Sequence, residues 1–185
     1  MNSVTYILYN EEVDYCVLID CGEYETLLPV LEKIGKKVRA ILITHGHSDH
    51  IGGINDVLKL NPSIIVGTNN EGHEELGNPR KNLSFYHGNP FVVEGYESLI
   101  IEDKQILYFE GLTDIGVMYT PGHSRSCMTY VIGSNIFTGD AYIPGVKTFS
   151  SFPGGNKKEA IKSMTMLSDM EKKGYVIHCG HHSYK

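Results

Sequence analysis

No stretch of this 185-residue chain approaches the roughly 20 consecutive apolar residues of a membrane-spanning helix, and residues 1–14 hold no basic run followed by an apolar one. Neither a transmembrane segment nor a signal peptide is expected. Positive charge is also scarce: 16 Lys and Arg stand against 22 Asp and Glu, for a formal charge of −6. That balance argues against nucleic acid or an anionic membrane as a partner held by bulk electrostatics. The four cysteines, Cys16, Cys21, Cys127 and Cys179, form no CxxC pair. Reduced, mostly buried thiols and a cytoplasmic setting are therefore expected. Internal repeats, linkers and low-complexity tracts are missing too. With 41% hydrophobic residues, the chain reads as a single domain over residues 1–185 with a sizeable core. Glycine, by contrast, is plentiful at 20 residues, above the average of roughly 7%, and suits a fold with many tight loops.

Periodicity places the elements. Val4 to Tyr9 and Tyr15 to Ile19 read as two strands joined at Asn10-Glu11-Glu12. Glu23 to Lys33 reads as an amphipathic helix with Leu27, Leu28, Val30, Leu31 and Ile34 inward and Gly35 as C-cap. Ala40 to Ile43 is a buried strand, and Ile51, Ile54, Val57 and Leu58 give a helical pattern that stops at Asn61-Pro62. Ser63 to Val66 is another strand, and the polar segment Asn69 to Lys81 is expected to be an exposed excursion with His73 at the surface. Short strands follow at Leu83–Tyr86, Phe91–Val93, Ser98–Ile101, Gln105–Phe109 and Ile115–Thr120. Met128–Ile132 and Asn135–Phe137 form a hairpin across Gly133-Ser134. A last helix, Asn156 to Met170, turns Ala160, Ile161, Met164, Leu167 and Met170 inward before a strand at Tyr175–Ile177. Two helix-bearing regions separated by many strands point to sheet packed on sheet with helices outside.

The chemistry gathers at Thr44-His45-Gly46-His47-Ser48-Asp49-His50-Ile51-Gly52-Gly53, between a core strand and a helix. His45, His47, Asp49 and His50 are imidazole and carboxylate groups, the donors zinc prefers alongside thiolate. A chance polar turn rarely stacks four of them. Each glycine in a helix costs roughly 1 kcal/mol relative to alanine, so Gly52-Gly53 marks a place where backbones approach closely. Three later turns repeat the design, a strand running into a ligand-capable residue directly after glycine: Thr120-Pro121-Gly122-His123-Ser124, Phe137-Thr138-Gly139-Asp140, and Ile177-His178-Cys179-Gly180-His181-His182. Together these supply His45, His47, Asp49, His50, His123, Asp140 and His181, enough for two metal ions sharing one ligand. Two divalent ions would add four positive charges at one spot, so the site could favour anions despite the acidic chain.

The order and spacing of these motifs resemble the metallo-β-lactamase superfamily and, within it, the glyoxalase II-like hydrolases. The likeness runs from Val17-Leu18-Ile19-Asp20-Cys21-Gly22 to Cys179-Gly180-His181. It implies an α/β fold, a four-layer αβ/βα sandwich, with a dimetal site at one edge. It further implies that His45, His47 and His123 hold one ion, that Asp49, His50 and His181 hold the other, and that Asp140 bridges them. Zinc is the expected metal, with iron or manganese as substitutes. Asp20 resembles the family's acidic residue at the end of an early strand, where it would support a ligand; an ordinary strand-ending turn is the competing reading.

The activity so implied is hydrolysis of a small-molecule ester or thioester by a hydroxide bridging two ions, with Asp140 holding the geometry and Asp49 orienting the attacking oxygen. Glyoxalase II enzymes grip glutathione with a C-terminal helical region, whereas only four residues follow His181 here. A site open to small substrates, with weak dependence on glutathione, is therefore expected. Tyr142 and Lys147 lie where relatives contact substrate, although a solvated loop lysine is the competing reading for Lys147. His182 is either substrate-facing or solvated, His178 and His87 are structural or exposed, and Cys179 is a small buried apolar residue. Asp140 argues against antibiotic hydrolysis, because true β-lactamases lack aspartate at that position. A mononuclear-iron persulfide dioxygenase is the main rival, although the Gly-Arg-x-Asp element of such enzymes does not follow Asp140. A metal-binding protein without catalysis is the other, and it would be expected to have lost ligands.

Overall fold

The computed structural model describes residues 3–182. β1 (Tyr6–Leu8) and β2 (Tyr15–Ile19) pair antiparallel, as the hairpin reading expects. α1 (Tyr24–Ile34) ends where Gly35 takes left-handed backbone, φ 64°, and donates its N–H to the Leu31 carbonyl. Leu27 and Leu31 of α1 are buried, and Leu28 and Ile34 are half-buried. Val30, expected inward, is exposed: it falls at the edge of the stripe set by Leu27, Leu31 and Ile34 and faces a surface groove. β3 (Lys37–Leu42) leads into α2 (Ser48–Ile51) and α3 (Ile54–Leu60), so the expected helix is two short ones broken at Gly52-Gly53. A Cβ on Gly53 would stand 3.1 Å from Cys21 Sγ, which is the close approach the glycine pair foretells.

The segment after β4 (Ile65–Thr68) differs from expectation. Asn70–Leu76 form a helix, α4, whose first turn is capped by the Asn69 side chain accepting from Gly72 N–H at 2.8 Å. Leu76 and Glu75 are buried rather than exposed. Leu83–Tyr86 and Phe91–Val93 are not strands. Ser84–His87 make a 3-10 turn, and residues 91–93 join no sheet. Side chains satisfy their backbone instead: Asn82 Nδ2 donates to the Phe91 carbonyl, and Phe91 N–H donates to Ser84 Oγ. The remaining elements are β5 (Glu97–Ile100), β6 (Ile106–Leu107), β7 (Ile115–Tyr119), β8 (Met128–Ile132), β9 (Asn135–Gly139), α5 (Lys157–Lys172) and β10 (Val176–Cys179). In α5, Ala160 and Leu167 are buried, but Ile161 is exposed along a groove shared with Lys157.

Two five-stranded sheets result, one ordered β1-β2-β3-β4-β5 and the other β10-β9-β8-β7-β6. β2 through β5 run parallel, and β9 and β10 are parallel within an otherwise antiparallel second sheet. Because β2 and the second half of β3, residues 40–42, are buried on both faces, they read as unbroken apolar runs, with successive residues serving different layers. Val17, Ile19, Ala40 and Leu42 meet Val117, Met128, Tyr130 and Phe137 between the sheets. Cys16, Leu18, Ile41 and Ile43 pack under Leu27, Leu31, Ile54, Val57 and Leu76 of the helices. On the far side Leu167 of α5 covers Cys127, Ile136 and Ala141. The order is helices, sheet, sheet, helix, the four-layer sandwich. Leu18, Ile19, Ile41 and Leu42 are fully buried, each burial stabilising by about 1.5–3 kcal/mol.

Strand direction places the chemistry. Residues following the C-terminal ends of β2, β3, β7, β9 and β10 all reach one edge of the sandwich. The sheets are stitched just beneath it: Met128 N–H donates to the Thr44 carbonyl at 2.7 Å, and Tyr130 OH donates to the Ile43 carbonyl at 2.8 Å.

Candidate metal centre

β3 delivers Thr44 and His45 to this edge, both buried. Asp20, at the end of β2, holds an uncommon non-glycine φ of 59° and turns its carboxylate back on them. Its Oδ1 accepts from Thr44 N–H at 2.7 Å; its Oδ2 accepts from Thr44 Oγ1 at 2.7 Å and from His50 Nδ1 at 2.8 Å. The Thr44 hydroxyl, having given its proton to Asp20, accepts one from His45 Nδ1 at 3.2 Å. One carboxylate therefore sets two tautomers, His50 directly and His45 through Thr44, and leaves both Nε2 lone pairs directed away from it. His123 is set independently: its Nδ1 donates to the Phe149 carbonyl at 2.7 Å, and its Nε2 lies 3.0 Å from His47 Nδ1.

Three groups of ligand atoms, each within 4.8 Å of one another, result: His45, His47 and His123; Asp49, His50 and His181; and His45, His50 and Asp140. These are the seven residues singled out from sequence. Asp140 lies between the first two groups, with Oδ1 3.5 Å from His50 Nε2 and Oδ2 3.6 Å from His123 Nε2 and 3.4 Å from His181 Nε2. Asp49 Oδ2 is 3.3 Å from His181 Nε2. Glycines make room for this packing. A Cβ on Gly180 would collide with Asp140 Oδ1, and Gly139, at φ 50°, lies against Thr44 where a Cβ would not fit.

The donor set fits divalent cations. Among the described residues, His45 Nε2, His47 Nε2 and Asp140 Oδ1 are buried with no hydrogen-bond partner, a state that is costly unless something else compensates. Nitrogens of His50 and His181 stand 3.3 Å apart and are directed at each other; such a pair shares one cation, either a proton or a metal. The two trios differ electrically. Burial, reinforced by neighbouring imidazoles, lowers the pKa of His45 and brings that of His47 down to about 3, and burial also lowers His123. Those three are neutral and ready to ligate. His181 is pushed up to about 9 by the hydrogen bonds it donates to Asp140 and Asp49. His50 is also raised, because Asp20 and Asp140 outweigh its burial. Asp140 and Asp49 are held low by His181 and His50 although burial opposes it.

A cavity of about 690 Å³ opens over the cluster, lined by His47, Asp49, His123, Asp140 and His181 together with His87, His182 and an apolar wall. His182 is exposed at its rim. Tyr142 does not line it; its hydroxyl donates to Glu171 at 2.6 Å. Lys147 lines a neighbouring groove with Lys157. His178 lies outside the site, stacked on Phe137 and hydrogen-bonded to Asn135. Cys179 is half-buried and donates to the His181 carbonyl, and all four cysteines are free.

Two residues were not placed at the site from the sequence: Glu75, and His87, which reads there as structural or exposed. His87 lines the cavity, its Nδ1 3.2 Å from Ser48 Oγ; nothing local distinguishes it from any surface histidine. Glu75 is buried beneath the ligand loops, accepting from Gly46 N–H at 2.9 Å, from Ser124 Oγ at 2.5 Å and from Ser126 Oγ. It ties the loop of His45 and His47 to the loop of His123. Burial raises its pKa against those three hydrogen bonds. The spacing of Asn69, Gly72, Glu75 and Leu76 at three and four residues was the available signal.

Residues 2–183 match the family model described as Metallo-beta-lactamase superfamily, and the chain belongs to that family. It is 30% identical over 144 residues to a hydroxyacylglutathione hydrolase of Buchnera aphidicola subsp. Schizaphis graminum, covering 78% of this chain and 49% of the relative. A hydroxyacylglutathione hydrolase of Photobacterium profundum is 28% identical over 179 residues, covering 95% and 60%. The chain thus spans about half the length of the curated relatives it matches. Among solved structures it is similar to the B3 metallo-beta-lactamase BLEG-1, with TM-score 0.84, 25% identity, and 98% and 87% of the two chains covered. TTHA1623, solved in a di-iron-bound form, has the same fold at TM-score 0.80 and 24% identity, with 98% and 88% covered. Among the described residues no helix is long and apolar enough to cross a membrane.

Proposed function

We propose that this chain hydrolyses a small-molecule ester or thioester with two divalent ions, zinc foremost, held in the cluster. The observation that carries the reading is Asp140, whose two oxygens lie 3.4–3.6 Å from nitrogens of His50, His123 and His181. A carboxylate so placed suits two ions sharing one ligand. His45, His47 and His123 would hold one, and Asp49, His50 and His181 the other. When bound, such ions supply Lewis acidity and lower the pKa of water toward 7. The chain's own residues do the rest. Asp20 and Thr44 keep His50 and His45 in the ligating tautomers, and the Phe149 carbonyl does the same for His123. Asp49, about a third exposed to the cavity, is placed to accept a proton from the attacking water at its carboxylate oxygen. Water oxygen bonds to the acyl carbon, the C–S or C–O bond breaks, and the leaving thiolate or alkoxide takes up a proton. The free cysteines suit a reducing, cytoplasmic compartment.

The test is metal analysis of reconstituted protein beside a substrate panel of acyl thioester, lactone, β-lactam, phosphodiester and persulfide. Two tightly bound ions with thioester or ester turnover are expected. A single bound iron with oxygen uptake on persulfide would replace this reading by that of a dioxygenase, and two bound ions with no turnover of any substrate would leave a metal-binding protein.

A further inference from the structure

The wall of the cavity beside the ligands is apolar and built, and among the described residues it holds no lysine or arginine. Pro144 and Gly145 make a tight turn, closed by Val146 N–H donating to the Ile143 carbonyl at 3.0 Å with Gly145 at φ 77°, the type II pattern. This turn presents Ile143 and Val146 to the cavity. The next stretch is anchored by Thr148 Oγ1 donating to the Ala141 carbonyl at 3.1 Å and closed by Gly155 N–H donating to the Phe152 carbonyl at 2.9 Å. It brings Phe149 and Phe152 together, ring centroids 4.6 Å apart, with Phe152 edge-on to His47 at 5.4 Å. Leu83, in left-handed backbone at φ 69°, lines the same cavity. Phe149, Val146 and Phe152 remain 53%, 45% and 37% exposed, so large apolar groups stand open to solvent directly beside a polar ligand cluster. Such an arrangement marks a binding surface. Among the described residues, none that lines this cavity is Lys or Arg, and Lys147, between two of the wall positions, belongs to the next groove.

We infer that the substrate carries an apolar, uncharged acyl group that lies along Ile143, Val146, Phe149 and Phe152 while its carbonyl sits at the ligand cluster, and that no anionic carrier is recognised. This rests on the hydrolase reading above and names its substrate class. A carrier bearing carboxylates, such as glutathione, would leave its charges against this wall with no lysine or arginine among the described residues to meet them. A chain of methylenes or an aromatic ring would instead remove Val146, Phe149 and Phe152 from water.

The experiment uses the metal-loaded full chain with acyl thioesters of N-acetylcysteamine from acetyl to hexanoyl, and the same acyl groups on glutathione. kcat/KM is expected to rise about threefold per added methylene, just under full transfer from water, with no gain from glutathione. Val146→Ala, remote from the ligands, is expected to flatten the series with metal content unchanged. Calorimetry with non-hydrolysable S-alkyl thioethers of the same two thiols reads the cavity without turnover, and Kd should fall along the alkyl series by the same factor. A flat or declining series in both measurements, or a tenfold advantage for glutathione in either, overturns the inference while leaving hydrolysis standing. Absence of thioester and ester turnover with the Kd order intact would instead remove the hydrolase reading and keep the apolar cavity.

Discussion

Asp20 Oδ2 accepts from His50 Nδ1 at 2.8 Å, and both side chains are almost wholly buried. The pairing decides which nitrogen of His50 faces the cluster, and through the Thr44 hydroxyl it decides the same for His45. Asp20→Asn keeps the shape but turns an amide donor toward groups that are themselves donors. The imidazole then favours the wrong tautomer, with a proton where a lone pair is needed. The variant is expected to lose about 10- to 100-fold in affinity for the ion held by His50. Competition with a chromophoric chelator measures it, and unchanged affinity at both positions would return Asp20 to an ordinary strand-ending turn.

Asp140→Asn probes the shared carboxylate. Its oxygens approach three imidazoles, so its negative charge offsets part of the charge of two ions. Turnover is expected to fall by about a hundredfold or more, the scale of a lost electrostatic stabiliser, while the denaturation midpoint moves little. Near-normal kcat in a fully metallated variant would take Asp140 out of the bridging role.

The two trios should differ in pH dependence. His45, His47 and His123 have lowered pKa values, so they are already neutral near pH 7. His181 is raised to about 9 and His50 is raised as well, so an ion entering beside them must displace protons. Affinity of one ion should be nearly flat from pH 6.5 to 8, and that of the other should climb as pH rises toward 9. Calorimetry in buffers of different ionisation enthalpy counts the protons, and equal release for both ions would contradict the assignment. Folding of metal-free protein follows the same signs. The contribution from His181 is complete below its ordinary pKa of 6.5 and is lost as pH rises through about 9. That from His47 is complete above 6.5 and is lost as pH falls toward about 3.

Glu75 is the joint between the two ligand loops. Glu75→Ala removes the shared acceptor of the Gly46 N–H and both serine hydroxyls; Gly46 N–H keeps Ser126 Oγ at 3.3 Å and the two hydroxyls keep each other at 3.0 Å, so the fold should be destabilised by about 1–3 kcal/mol, the scale of one buried donor left unpaired. Glu75→Gln keeps an acceptor, and a serine hydroxyl can turn to receive its amide, so most stability should return. The distinguishing measurement is metal affinity of the His45, His47 and His123 group, which should weaken in the alanine variant and recover in the glutamine one. Affinity that stays constant in both would make Glu75 a packing residue only.

Residues close in sequence carried most of what could be read directly. His45, His47, Asp49 and His50 needed only a strand end and one helical turn to converge, and each later ligand followed a glycine at a strand terminus. Unbroken apolar runs in β2 and from Ala40 onward in β3 announced strand segments buried on both faces, because in a parallel sheet each face meets a separate layer. The motifs' resemblance, rather than their spacing, assigned the ligands to two groups.

Tertiary structure decided what depends on partners far along the chain. A carboxylate in a polar segment reads as solvent-facing until three donors from two distant loops surround it, and so the first part of Asn69 to Lys81, Asn70–Leu76, is a partly buried helix around Glu75. Phe91–Val93 has the composition of a strand, but its backbone is satisfied by the side chains of Asn82, Ser84 and Asn55 and by the Leu76 carbonyl rather than by a ladder. Tyr142 and Lys147 follow Asp140 closely in sequence, yet one reaches Glu171 and the other, past the turn at Pro144-Gly145, lines a neighbouring groove. The sequence alone determined which atoms could ligate and on which strand ends they sit, since both are local properties. Which nitrogen each histidine presents, and what faces the substrate, were decided only when Asp20, the Phe149 carbonyl and the Ile143–Phe152 wall arrived from elsewhere, because a tautomer and a cavity are properties of contacts rather than of residues.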